Sequence, residues 1–212
     1  MEFREAIQPY AGQPISRQVL LDALREYKRP WDKIHELVQQ GLLARLKRGI
    51  YIPGPRLHMA TPEPFLLANH LAGPSYVSLH AALSWQGLIP ERVYEISSVT
   101  TQKSKVFQTP AGKFTYTHLP LPYYAYGIQQ VELAKDQSAL VASAEKALCD
   151  LVATTPGILL RSVLQATELL LEDLRMDENM LHNLDVSKIT SWIPEAPKME
   201  SLAILVKTLK SL

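Results

Sequence analysis

The chain of 212 residues has a single cysteine, Cys149, so it can form no internal disulfide and cannot by itself complete a zinc site. That excludes a disulfide scaffold and a Cys-rich zinc module, and it suits a reducing compartment. Long apolar runs are missing too: no stretch approaches the roughly 18 uninterrupted apolar residues of a membrane span. The opening residues, Met1-Glu2-Phe3-Arg4-Glu5, have no basic segment followed by an apolar core, so no secretory leader is expected. Fixed-period repeats and low-complexity tracts are absent. Net charge is nearly absent as well, with 22 Lys and Arg against 21 Asp and Glu, or +1. With 47% hydrophobic and 20% charged residues, the composition is that of a globular chain read as soluble and cytoplasmic. Its length fits one large domain or two small ones at about 100–200 residues per domain.

The average conceals an asymmetry. Residues 1–56 carry ten Lys or Arg against six Asp or Glu, net +4, which leaves −3 for residues 57–212. A basic small module joined to a mildly acidic larger one suggests a nucleic-acid-facing end and a body with another task. Prolines mark the same boundary. Pro53-Gly54-Pro55, then Pro62 and Pro64, lack amide donors and bias their predecessors toward extended backbone, which places a linker at about residues 53–61.

In the first module, Ser16 is a good N-cap for a helix to about Tyr27, with Val19, Leu20, Ala23, Leu24 and Tyr27 on one stripe. Pro30 suits the first turn of a second helix running to Gln40. Trp31, Ile34, Leu37 and Val38 are its expected buried face, and Gly41 stops it. Phe3 to Tyr10 can supply a third helix. After Gly41 the period changes: Leu42–Leu46, a turn at Lys47-Arg48-Gly49, and Ile50–Ile52 read as a β-hairpin with a cationic tip. Three helices and a basic-tipped hairpin make the order of a winged helix-turn-helix. The second helix would then enter the major groove of double-stranded DNA, offering Lys33, His35, Gln39 and Gln40. Arg45, Lys47 and Arg48 of the wing would reach phosphates or the minor groove. Asp32 and Glu36 on the same helix repel phosphate, and modules of this shape also serve as protein-docking units, so both readings stand.

The larger module reads as α+β. Phe65–Leu71 is helical, and Tyr76–Pro90 looks like one buried helix capped by Gly87. Strands are expected at Val93–Thr100, at Lys113–Leu119 and near Ile128–Leu133. Ser143 can cap a helix through Leu151, and further helices are expected at Ile158–Leu174 and Pro197–Leu212. The expected whole is thus a winged helix-turn-helix over residues 1–56 and, over residues 62–212, a mixed body with a small antiparallel sheet and several helices.

Signals for catalysis are missing. There is no Gly-rich phosphate loop, no pair of histidines at metal-binding helical spacing and no Gly-x-Ser-x-Gly elbow. His70 and His80 fall in helical, mostly apolar surroundings and are expected to be packing residues, as is Cys149. Lys146 and Asp150, at i and i+4, are expected to pair on a helix surface, with Glu145 off their face. Thr100–Lys105 reads as a solvated loop or a minor source of phosphate contacts. Tyr123, Tyr124 and Tyr126, beside Pro120 and Pro122, read as a packed turn or as base-stacking residues. The expectation is a binding protein with no catalytic residues, no cofactor and no metal.

Three blocks, taken in order, resemble the AbiEi-type antitoxins. They are Gly41-Leu42-Leu43-Ala44-Arg45-Leu46-Lys47-Arg48-Gly49-Ile50-Tyr51; Gly73-Pro74-Ser75-Tyr76-Val77-Ser78 with Ala81-Ala82-Leu83 and Gly87-Leu88-Ile89-Pro90; and Ala142-Ser143-Ala144-Glu145-Lys146-Ala147-Leu148-Cys149-Asp150. Together they span roughly residues 15–155. The resemblance implies a winged N-terminal domain that binds operator repeats and represses its own toxin-antitoxin operon. It also implies a C-terminal domain that counters a nucleotidyltransferase-like toxin in abortive infection, without a stable complex. A stand-alone regulator would share the same architecture.

Overall fold

The computed structural model of the protein describes residues 3–212, and ten α-helices and nine strands are formed among them. The chain begins with α1 (Phe3–Ile7) and a 3-10 turn, followed by β1 (Ile15–Ser16) and α2 (Arg17–Ala23). The Ser16 hydroxyl accepts the Val19 N–H at 3.3 Å, the expected cap. The helix ends at Ala23, well before Tyr27. Turns then carry the chain to Pro30, whose predecessor is disfavoured in helical backbone. α3 (Pro30–Gln39) has Pro30 in its first turn, and Gly41 follows it at φ +71°. β2 (Leu43–Lys47) and β3 (Ile50–Pro53) form the hairpin, with Gly49 at φ +89° in its turn. β1 pairs with β3 to complete a three-stranded antiparallel sheet.

Alternation along this hairpin divides its side chains between two cores. Leu43 and Tyr51 join Ile7, Ile15, Leu20, Leu24, Ile34 and Leu37 in the smaller one. Leu46 and Ile52 are buried in the larger one. The connecting residues are packed as well: Leu57 is buried in the smaller core and Met59 lies against it. Gly54 sits so close to Gly41 that a methyl group there would overlap the Gly41 carbonyl.

The body continues with α4 (Pro64–Leu71), β4 (Ser75–Val77), α5 (Leu79–Trp85), β5 (Ile96–Thr100), β6 (Lys105–Thr109), β7 (Gly112–His118), β8 (Ile128–Ala134) and β9 (Gln137–Ala142). There follow α6 (Ala144–Thr154), α7 (Val163–Thr167), which runs into a π-helical turn at Glu168–Asp173, then α8 (Glu178–His182), α9 (Val186–Trp192) and α10 (Met199–Leu209). The sheet order is β6-β7-β5-β4-β9-β8, and the β4–β9 and β5–β7 pairs are parallel.

The class is α+β as expected, but the body's sheet is six-stranded and mixed rather than small and antiparallel. Three strands escaped the pattern, β9 and, for opposite reasons, β4 and β6. β4 is buried on both faces, so it has no polar alternation, and the stretch expected to be one helix from Tyr76 becomes helical only at Leu79. β6 is an edge strand in which Lys105, Val106 and Gln108 are exposed and only Phe107 packs against the core, so its apolar residues do not alternate. The helix expected from Ile158 starts at Val163, where Ser162 caps it.

Candidate nucleic-acid interface

The start of α2, one side of α3 and the hairpin meet around a hollow of about 710 Å³ whose lining includes Arg17, Trp31, His35, Arg45, Lys47, Arg48 and Gly49, joined by Gln108 of β6. Among the described residues, no acidic side chain lines it. Among the described residues, Arg17, Arg45 and Arg48 take part in no ion pair, so three guanidinium groups with five donors each face the same hollow. Arg17 also lies over the Trp31 ring, 4.6 Å from its centroid. His35 is exposed one turn beyond Trp31 on the same side of α3.

Of the seven residues singled out in the sequence, His35, Arg45, Lys47 and Arg48 are brought together here, whereas Lys33, Gln39 and Gln40 are not. Lys33 is turned to the other side of α3. Its ammonium bonds Glu36 at 2.8 Å and lies over the Tyr27 ring. That hydrogen bond holds the Glu36 carboxyl below its usual range. Gln40 donates to the same carboxylate at 2.9 Å, and Gln39 is exposed. Lys47 points inward: its ammonium donates to the Leu71 carbonyl at the end of α4 at 2.6 Å and lies over the Phe107 ring. Partial burial, aided by the nearby charge of Lys105, pulls its pKa down.

Sequence reasoning missed Arg17 and Trp31. Trp31 was assigned to the buried face, but it is 45% exposed. Its spacing from His35, i to i+4, is the signal that would have moved it off the Ile34 and Leu37 face.

A second polar cluster lies inside the body and corrects the expected surface pair. Lys146 and Asp150 are completely buried and 2.6 Å apart. Asp150 also accepts from the hydroxyls of Tyr76 at 2.8 Å and Ser78 at 2.7 Å, and Lys146 donates to the Tyr123 carbonyl at 3.1 Å while lying 3.6 Å from that ring's centroid. Gly127, at φ +61°, gives Lys146 its room: a Cβ there would meet the lysine's own at 2.7 Å. Burial pushes the Asp150 carboxyl and the Tyr76 phenol up and the Lys146 ammonium down. The serine, lysine and aspartate of this cluster are fully buried, and their bonds tie α6 to β4, to the start of α5 and to the Tyr123 turn.

Glu145, on the neighbouring face, accepts from Ser143 at 2.8 Å and from the Asp185 N–H at 3.1 Å. His70 and His80 are exposed rather than packed, because their helices present those positions to solvent. Tyr123 and Tyr124 are buried in a 3-10 turn. Among the described residues, no three His, Cys, Asp or Glu side chains gather as a metal site, and no helix is long and apolar enough to cross a membrane.

Two apolar cores that share a basic-tipped hairpin, one of them built on a mixed sheet, define the chain as an α+β protein with a cationic concave face. No family model and no curated protein sequence matches it. Among solved structures, it is similar to the RV2827C protein from Mycobacterium tuberculosis. The TM-score is 0.64 at 15% identity, covering 97% of this chain and 75% of that one. At that identity the likeness is one of fold.

Proposed function

We propose that this chain is a DNA-binding transcriptional repressor of antitoxin type. The N-terminal part is a winged helix-turn-helix that grips double-stranded operator DNA in the cytoplasm, with α3 toward the major groove and the β2–β3 hairpin as the wing. What carries the reading is the hollow in which Arg17, Arg45 and Arg48 converge with His35 and Trp31, with no acidic side chain lining it among the described residues. Unpaired guanidinium groups around a concave face match phosphate geometry and gain from counterion release. The order of elements supports it, since the short strand after α1 pairs with the last strand of the hairpin, with α2 and α3 between them. The antitoxin role, autoregulating an operon and countering a nucleotidyltransferase-like toxin without a stable complex, rests on the resemblance of residues 15–155 to AbiEi-type proteins. Nothing in this reading calls for catalysis, a cofactor or a metal.

The test is fluorescence anisotropy with a labelled duplex from the chain's own promoter region, titrated between 50 and 200 mM salt. Replacing Arg45 and Arg48 by Ala should flatten the slope of log K against log salt by about 1.8, at about 0.9 per phosphate contact. Lys47→Ala should change it far less, because its ammonium is already held by the Leu71 carbonyl. Absence of binding by the unaltered chain at 50 mM salt would refute the reading and leave a protein-docking module.

A further inference from the structure

The body is acidic on balance, yet its charge is unevenly placed. Residues 96–131 contain no Asp or Glu and three lysines, Lys103, Lys105 and Lys113. Lys113 is tied to Glu95. Lys103 and Lys105 are exposed, and among the described residues neither is in an ion pair. Lys105 opens β6, the edge strand of the six-stranded sheet, and Lys103 lies in the loop just before it. That edge runs beside the wing: Lys47 of β2 lies 6.0 Å from the centroid of Phe107 in β6, and Gln108 shares the hollow with Arg45, Arg48 and Gly49. The placement is rigid. Leu46 and Ile52 of the hairpin are buried in the body's core, and Lys47 is bonded to Leu71. A duplex seated on the wing therefore runs alongside β6.

We propose that β6 and the loop before it, with Lys103, Lys105 and Gln108, form a second, body-borne section of the DNA interface that contacts phosphates flanking those held by the wing. The proposal rests on the DNA-binding reading above. It gives the wing's lost cation a replacement: Lys47 is spent on fixing the two cores to one another, and the β6 lysines supply the charge that a wing lysine would otherwise bring. It also sets a fixed spacing between wing and body contacts along the backbone, so the larger module helps select the length and trajectory of the site rather than hanging passively behind it. The competing role for lysines on a free edge is to block edge-to-edge pairing of sheets. The two roles differ in what DNA binding reads.

The experiment uses the full chain and the same promoter duplex, comparing Lys103→Ala/Lys105→Ala with Arg45→Ala/Arg48→Ala by anisotropy across salt and by hydroxyl-radical footprinting. Circular dichroism checks the folds and size-exclusion chromatography the assembly state. The β6 variant should lower the salt slope by about 1.8 and weaken binding about tenfold or more at 0.1 M salt, and its footprint should shorten on one flank only. An unchanged slope and footprint for the β6 variant, while the wing variant loses affinity, would overturn the proposal and leave the N-terminal reading intact. The same holds if the β6 variant merely aggregates, with its monomer fraction binding as before. Failure of the unaltered chain to bind overturns both.

Discussion

Replacing Asp150 by Ala tests whether the buried cluster is the strut that joins α6 to the sheet. The change leaves the Lys146 ammonium with one acceptor, the Tyr123 carbonyl, and takes the acceptor from the Tyr76 and Ser78 hydroxyls. Breaking a buried ion pair from one side costs about 3–5 kcal/mol. Two stranded hydroxyls add about 1–3 kcal/mol each. Part of this is recovered because Lys146, whose pKa burial already lowers, can give up its proton. A net loss of about 4–6 kcal/mol is expected, and at about 2–4 °C per kcal/mol for a chain of this size Tm should fall by about 10–20 °C. Lys146→Met should cost less, about 2–3 kcal/mol, because Asp150 keeps two donors and can take up a proton. The double variant should be more stable than the sum of the singles implies, by more than about 1 kcal/mol. Urea and thermal unfolding followed by circular dichroism measure all three. A loss below about 1 kcal/mol for Asp150→Ala, the scale of an exposed pair, or simple additivity of the two changes, would refute the reasoning.

Other consequences follow from burial and close packing. The Cys149 thiol is fully buried and pushed up in pKa by that burial, so it should resist a thiol reagent at pH 8 in the native state and react fully in urea. A thiol that reacts without denaturant would contradict the packing of α6. Although burial works against it, the Asp185 N–H and the Ser143 hydroxyl hold the Glu145 carboxyl below its usual range. Its folded pKa therefore lies under the unfolded value of about 4.3, and its contribution is present above that pH and lost as pH falls through the folded value. Glu145→Gln should accordingly lower Tm by a few degrees at pH 7, with the gap narrowing as pH falls through the folded pKa, below about 4.3. A gap that does not narrow at all on acidification would count against the bond to Asp185. Gly54→Ala should cost about 3 kcal/mol, at the upper end of the usual overpacking scale, because its methyl meets the Gly41 carbonyl rather than a movable side chain. A variant with unchanged Tm would mean that the connector is looser than described.

Local rules were sufficient where a single residue type dictates the backbone. Ser16 and Ser143 cap the helices expected of them, Pro30 opens α3, and Gly41 and Gly49 sit at positive φ, each because a short-range bond or a steric allowance decides the matter within one turn of chain. The amphipathic elements were legible for the same reason: α10 and β7 bury one face, and the period shows it. Three of the cations that line the hollow, Arg45, Lys47 and Arg48, were visible as a basic hairpin turn.

What the chain could not reveal on its own is where those side chains point and what surrounds them. Lys47 and Arg48 are neighbours at the hairpin tip and both touch the hollow, yet the Lys47 ammonium is bonded to the Leu71 carbonyl while Arg48 is in no ion pair among the described residues, because the body packs against only one side of the hairpin. Lys146 and Asp150 have the spacing of an exposed helix pair, and only the approach of β4 and the Tyr123 turn from distant parts of the chain makes them a sealed one. Arg17 and Trp31 become partners through the crossing of α2 and α3. Spacing along the chain fixes which residues can share a face. Burial depends on which other element covers that face, and that is settled by long-range packing alone.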